Sequence, residues 1–279
     1  MDRLPEIKPE KSGGVPISTS ALLRQRAILA ALRADGFVSV AAIAARFGIS
    51  SMTARRDLHQ LVISGTARRT HGGAVAAEPT MSGEPSFAAR QAENNAAKRA
   101  IAEAAAALVR PGDSIGIDVG STTLEFARAI RDHRRINVFT HSLRVAMLLA
   151  DSGVSTYLPG GQVGAAEMAV GGSVAIAQLQ HWRMDTVFLG VSGVSADGVF
   201  DFSPEDVAVK RVYRLCATRA VVLADASKFG RLSAVRIEGL GGIDTLVTDR
   251  PPEGALRDAL LAAKVEVIVA DGGACAAAA

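Results

Sequence analysis

Cysteine is nearly missing from this chain of 279 residues, in which Cys216 and Cys275 are the only two. That excludes a disulfide framework, and neither stands at a spacing that would share a metal ion with another ligand. No metal and no cofactor is expected. Cys216 reads as a small core residue on a helix, and Cys275 as part of a tail over residues 272–279. Long hydrophobic runs are missing too. No stretch of about 18 residues is free of charge, so no membrane span is expected. The opening MDRLPEIKPEKSGG carries acids and Pro where a secretory signal would place its apolar segment. The chain reads as cytoplasmic. Hydrophobic residues make up 49% of it, enough for packed cores, and the length suits two domains.

The net charge of +3 is small but uneven. Residues 1–77 hold eleven Lys and Arg against five acids, so the basic surplus belongs to the N-terminal part and the remainder is slightly acidic. Such asymmetry points to an anionic polymer as that part's partner.

Residues 1–20, with three Pro and mixed charge, are expected to form a disordered arm. A helical stripe follows through Leu22, Leu23, Ile28, Leu29 and Leu32 and stops at Ala34-Asp35-Gly36. A second helix is expected from the cap Ser39 to Gly48, and a third begins with Ser50 as its cap. In that third helix Ala54, Leu58, Leu61 and Val62 recur at the spacing of a core-facing stripe, leaving Ser51, Met52, Arg55, Arg56 and His59 outward. A tight turn between the second and third helices is what a helix-turn-helix requires. Thr66 to Arg69 and Thr70 to Val75 read as two strands around a Gly turn, a wing. The winged helix-turn-helix, residues 21–76, is expected to lay Ser51, Thr53, Arg55 and Arg56 in the major groove of double-stranded DNA, with Arg68, Arg69 and His71 on the flanking backbone. The plainer alternative, solvated charges on a winged helix that binds protein, predicts no salt-dependent affinity for DNA.

Residues 77–86, with two Pro and a Gly, look like a linker. Beyond it the pattern is α/β over residues 87–271: one long Ala-rich helix from Phe87 to Val109, then seven nearly continuous apolar runs at 113–119, 136–140, 154–158, 185–191, 219–225, 245–249 and 265–270 separated by helical segments. Such runs belong to a mostly parallel sheet covered on both faces, whose ligands bind beyond the C-terminal ends of the strands. The first of those ends reads Asp118, Val119, Gly120, Ser121, Thr122, Thr123; backbone N–H groups and hydroxyls at a helix start suit a phosphate, although the same residues could simply cap the helix. Thr140, His141 and Ser142, Gly160 and Gly161, Gly190, and Asp225 with Lys228 end other strands, and one shared pocket is expected. Lys98, eight residues from Arg90 on one helix face, is expected to point at the same phosphate. His141 lacks a second ligand at metal spacing and reads as structural or rim.

These residues resemble the DeoR-type bacterial transcriptional regulators. One signature stands as Ser50, Thr53, Arg55, Arg56, Asp57, Leu58, Gly65, Arg69, His71, Gly72 and Gly73, with Ala54 where the family has a larger aliphatic residue. The second stands as Glu78-Pro79, Phe87, Arg90, Lys98, Asp118, Gly120-Ser121-Thr122, Gly160-Gly161, Gly190, Asp225 and Lys228-Phe229-Gly230, with His141 where relatives commonly carry Asn. The resemblance spans residues 22–250 and implies a sensor domain similar in fold to ribose-5-phosphate isomerase. It also implies a repressor of a carbohydrate operon relieved by a phosphorylated sugar, working as a homodimer or homotetramer. The expected ligand pose sets the phosphate on Gly120 to Thr122 and the hydroxyls near Asp118, Asp225 and Lys228. A rival from another class is a sugar-phosphate isomerase with a DNA-binding appendage, for which Asp118, Asp225 or Glu205 could serve as base.

Overall fold

A computed structural model of the chain describes residues 21–63, 67–70, 72–76 and 85–270. The chain divides into two units, Met1–Glu78 and Pro79–Ala279. The expected arm, most of the expected linker, the tail with Cys275, and residues Thr66 and His71 lie outside the described residues.

In the first unit, α1 (Ala21–Asp35), α2 (Val40–Phe47) and α3 (Ser51–Ile63) enclose one core. Ile28, Leu32, Ile43, Ala54, Leu58 and Leu61 are buried in it. The Ser39 side chain accepts from Ala42 N, and Gly48 ends α2 in the left-handed region at φ 61°, which costs glycine nothing. Ser50 Oγ accepts from Thr53 N at 3.1 Å and so caps α3. The wing has a strand more than the sequence suggests. β1 (Phe37–Ser39) pairs with β3 (Gly73–Ala76), which pairs with β2 (Ala67–Thr70), giving the order β1-β3-β2. Three residues between helices carry too little periodicity to be read as a strand.

In the second unit the expected long helix is two helices. Between α4 (Phe87–Ala92) and α5 (Asn95–Ala106) the backbone turns at Asn94, φ 49°. Two sets of contacts hold the break: Lys98 Nζ donates to the carbonyls of Arg90 and Glu93, and Asn94 Nδ2 to the distant Asp225 Oδ1 at 3.0 Å. Uninterrupted helix would have hidden those carbonyls in its own ladder. There follow β4 (Ser114–Ile117), α6 (Ser121–Ala129), β5 (Asn137–Thr140), α7 (Leu143–Leu149), β6 (Ser155–Tyr157), β7 (Gln162–Gly164), β8 (Ala169–Gly171), α8 (Gly172–Leu179) and β9 (Met184–Gly190). Then come β10 (Gly193–Ser195), β11 (Gly198–Asp201), α9 (Pro204–Cys216), β12 (Ala217–Leu223), β13 (Val235–Glu238), β14 (Thr245–Thr248), α10 (Gly254–Ala262) and β15 (Glu266–Val269).

All seven expected strands lie in one sheet, ordered β15-β14-β12-β9-β4-β5-β6, and all six pairs in it are parallel. Alternation survives inside the apolar runs. Phe188, Val221 and Leu223 pack on the α5, α6 and α7 side, whereas Val187, Leu189, Ala220 and Val222 pack on the α8, α9 and α10 side. Each such side chain is worth roughly 1.5–3 kcal/mol of apolar burial. Cys216 is a buried residue near the end of α9, as expected. Two small antiparallel sheets, β7-β8 and β10-β11-β13, are additions that the sequence analysis did not foresee.

His141 follows β5 and is 1% exposed, with Nδ1 3.3 Å from the Tyr213 hydroxyl of α9. Burial, aided by the charge of Lys210, pushes its imidazole down to about 3 from an unfolded value of 6.5. Between those values the unfolded chain takes up a proton that the native one refuses, so stability falls as pH falls, by up to about 1.4 kcal/mol per pH unit for one such group. The His141→Asn variant should therefore gain on the parent as pH drops from 7 to 4.5 in a series of urea denaturations. A stability gap independent of pH would overturn the neutral, sealed imidazole.

Candidate functional site

On the first unit, α3 presents Ser51, Met52, Arg55, Arg56 and His59 to solvent. A groove between α3 and the wing is lined by Ser51, Arg55, His59, Arg69 and Gly72 among others. Thr53 is half-buried and its hydroxyl lies 2.9 Å from that of Ser50, so part of its role is to close the cap. Asp57, next to the two arginines, turns inward: its carboxylate accepts from Arg24 Nε at 2.6 Å and Nη2 at 3.2 Å, tying α1 to α3. The arginine pair is thus left without an acidic neighbour on its own face. Arg69 is exposed on β2. Arg68 lies on the same strand with its side chain outside the described residues, as is the whole of His71.

On the second unit, the chain runs from β4 to β5 and β6 on one side and later from β9 to β12, β14 and β15 on the other. The order reverses between β4 and β9, and a cleft of about 50 Å3 opens where those two strands end. Gly120 begins α6 with φ 140°, a region that disfavours side chains. Gly190 ends β9 so close to β4 that an added Cβ would stand 2.9 Å from Val119 O. No side chain caps α6: the Thr123 hydroxyl donates to Gly120 O, and the first N–H groups of the helix are left at the cleft. Capping, the plain reading of Ser121 and Thr122, is therefore not what those hydroxyls do.

Of the residues expected in one pocket, Lys98, Gly120, Ser121, Thr122, Gly190 and Lys228 line this cleft together. Lys98 is 3% exposed and Lys228 half-buried; burial lowers the pKa of both against the pull of Asp225, the Lys228 charge adding to it at Lys98 and Arg231 and Arg90 at Lys228. Arg90 also lines the cleft and pairs with Glu167. The other expected residues stand elsewhere. Asp118 is 0% exposed, directly behind the cleft; one oxygen takes the Lys210 ammonium and the Gly190 N–H at 3.0 Å. Burial pushes its carboxyl up to about 7 against the pull of Lys210. It is a strut and does not face ligand hydroxyls. Asp225 accepts from Asn94 and from Ser227 N, and so shapes the cleft from behind. Thr140 donates to Ile117 O at 2.7 Å and accepts from Ser142 N. Gly160 donates its N–H to Gln178 Oε1, and Gly161 packs beside Gly171 and Val170. The ends of β5 and β6 are drawn away because β8 docks on the segment after β5, with Val170 N donating to His141 O and Leu143 N to Met168 O.

Sequence reasoning missed Lys210, the charge at the centre of the site. It is 1% exposed on α9, donates to Asp118 and to Gly190 O at 2.9 Å, and pairs with Asp201 at 3.0 Å; against its burial, those carboxylates hold its pKa above the usual value. The available signal was a lysine flanked at helical spacing by Val207, Val209 and Tyr213, all buried. Asp206, Asp201 and Ser192, which also line the cleft, were missed for want of any motif. Among the described residues no group of His, Cys, Asp and Glu could hold a metal ion, and no helix is long and apolar enough to cross a membrane.

Residues 24–80 match the DeoR-like helix-turn-helix domain, and residues 93–250 match the DeoR C terminal sensor domain. The chain is similar to a putative aga operon transcriptional repressor of Escherichia coli O157:H7, 35% identical over 88% of this chain and 93% of that protein. It is similar to the glycerol-3-phosphate regulon repressor of Escherichia coli K12, 29% identical over 82% of this chain and 91% of that one. Among solved structures, ribose 5-phosphate isomerase A of Methanocaldococcus jannaschii aligns at 22% identity with a TM-score of 0.38, covering 49% of this chain and 55% of the isomerase. Both domain matches fall in the order that the two units occupy in the chain, and with them the protein belongs to the DeoR family of transcriptional regulators.

Proposed function

We propose that the chain is a repressor of a carbohydrate operon that binds double-stranded DNA through Ser51, Thr53, Arg55, Arg56, Arg68, Arg69 and His71, and releases it when a phosphorylated sugar occupies the cleft of the second unit. The observation that carries the sensing half is the uncapped start of α6 beside the buried Lys98 and the half-buried Lys228, whose charge repels the Lys98 ammonium. A dianionic phosphate there satisfies the free N–H groups and relieves the repulsion between Lys98 and Lys228. The named function of its relatives as repressors supports the DNA half, as does the exposed arginine pair on α3. The working form is a homodimer or homotetramer, since two copies set two recognition helices on paired half-sites. Effector binding then acts by changing how the second units pair and so the spacing of those helices.

An isomerase is the reading to set against this one, because Glu167, Asp201 and Asp206 place carboxylates in the cleft. Turnover of pentose and hexose phosphates by the purified chain would decide for it.

Three measurements test the proposal. Arg55→Ala should weaken a specific operator by about 1–3 kcal/mol if Arg55 reads a base, or weaken all sequences alike and flatten the salt dependence if it holds phosphate; unchanged affinity would remove α3 from the interface. Thr122→Val should leave operator affinity intact while raising the effector concentration needed for release by about tenfold, near 1.4 kcal/mol, and a full response would displace the phosphate from this helix start. A thermal-shift panel of phosphorylated sugars should show at least one compound raising the melting temperature.

A further inference from the structure

The cleft is electrically two-ended, and its charges differ in what already holds them. At the α6 end, Lys98 spends two hydrogens on the carbonyls of Arg90 and Glu93. The Lys228 ammonium has no ion pair or hydrogen bond among the described residues. At the α9 end the cation is taken: Lys210 donates to Asp118 and Gly190 O and forms an ion pair with Asp201. Asp206, in the first turn of α9, also lines the cleft; among the described residues its carboxylate forms no direct ion pair, the Lys210 charge acting on it from farther off, and its backbone N–H donates to the Ser203 hydroxyl. Burial raises its pKa above the ordinary range for a carboxyl, against the pull of Lys210. A half-buried carboxylate with no cation in direct contact is costly unless something donates to it.

We infer that Asp206 is the specificity-determining residue of this cleft, accepting a hydrogen bond from a ligand hydroxyl while the phosphate lies at Lys98, Lys228 and the start of α6. It follows that the ligand is a phosphate monoester of a polyhydroxylated compound. Ligands with a second anionic group at the far end, bisphosphates or phosphorylated sugar acids, are rejected because that group would face Asp206 with Lys210 already committed. This rests on the phosphate reading of the same cleft given above, and adds to it the far end of the ligand.

Calorimetric titration of the full chain with inorganic phosphate, pentose and hexose monophosphates, the matching bisphosphates and the matching phosphorylated aldonic acids tests it. The wild type should bind its best monophosphate about tenfold or more tightly than the bisphosphate or the acid of the same sugar. In Asp206→Asn, and in Asp206→Ser as a second variant, that ratio should collapse to within about threefold, with affinity for inorganic phosphate unchanged. A wild type that prefers the doubly anionic ligand, or a ratio untouched in a folded Asp206 variant, overturns the inference. If monophosphates bind and are lost in Lys228→Met but are indifferent to Asp206, only the role of Asp206 falls. If neither inorganic phosphate nor any ester binds, the phosphate reading falls and takes this inference with it.

Discussion

A buried ammonium governs the architecture of the second unit. Lys210 stands almost fully enclosed on α9, and a charge so placed is tolerated only when each of its hydrogens has an acceptor. Its partners come from three places far apart in sequence: Asp118 after β4 and Gly190 at the end of β9 accept its hydrogens, and Asp201 at the end of β11 pairs with its charge. One side chain thereby pins the two strands between which the sheet order reverses, together with the small sheet beside them. The same Asp118 oxygen also accepts from Gly190 N, closing β4 and β9 a second time. With that junction fixed, the backbone after β4 can leave the sheet only through Gly120, and α6 starts where it does with Phe126 resting on Phe188, ring centroids 4.1 Å apart. The anion cradle is the by-product of this closure.

Electrostatics in the cleft follow from the same constraint. Because Lys210 is held by Asp118, Gly190 O and Asp201, it adds fixed positive potential at the cleft. The adaptable cations are Lys98 and Lys228, supplied by α5 and by the turn after β12. Lys98 reaches the cleft only because α4 ends at Asn94, whose side chain is anchored on Asp225. Asp225, expected to touch ligand, instead decides where the helix breaks and so where Lys98 and Arg90 can stand.

What the sequence disclosed and what it concealed divide along a physical line. Periodicity and capping chemistry act over a few residues, and they were legible: Ser39, Gly48 and Ser50 around the turn, the stripe Ala54, Leu58, Leu61 on α3, and all seven strands of the parallel sheet. The place of Gly120, Ser121 and Thr122 at a helix start beside the cleft was legible as well, since it depends on one strand-to-helix junction. Effects requiring a distant partner were not. Lys210 looks like any helical lysine until Asp118, 92 positions away, is placed against it. The break at Asn94 needs Asp225, 131 positions on. The departure of Thr140, Gly160 and Gly161 from the cleft depends on β8 docking after β5, a contact between two short strands with no strong pattern of their own.

The fate of Asp118 also bears on why such a fold recognises its ligand. A carboxylate at the end of a central parallel strand is where proton transfer to a sugar carbon would be expected to occur, provided one oxygen is free to approach the substrate. Here one oxygen is occupied by Lys210 and Gly190 N, and the other lies buried 3.9 Å from His141 Nε2, on the side away from the cleft residues that line the cavity. To act as a base it would have to give up its contact with a buried ammonium whose remaining direct ion pair, among the described residues, is with Asp201. Binding makes no such demand. It needs free N–H groups, cations short of partners and a carboxylate short of a donor, each of which is satisfied by ligand arrival and none of which has to move to become so.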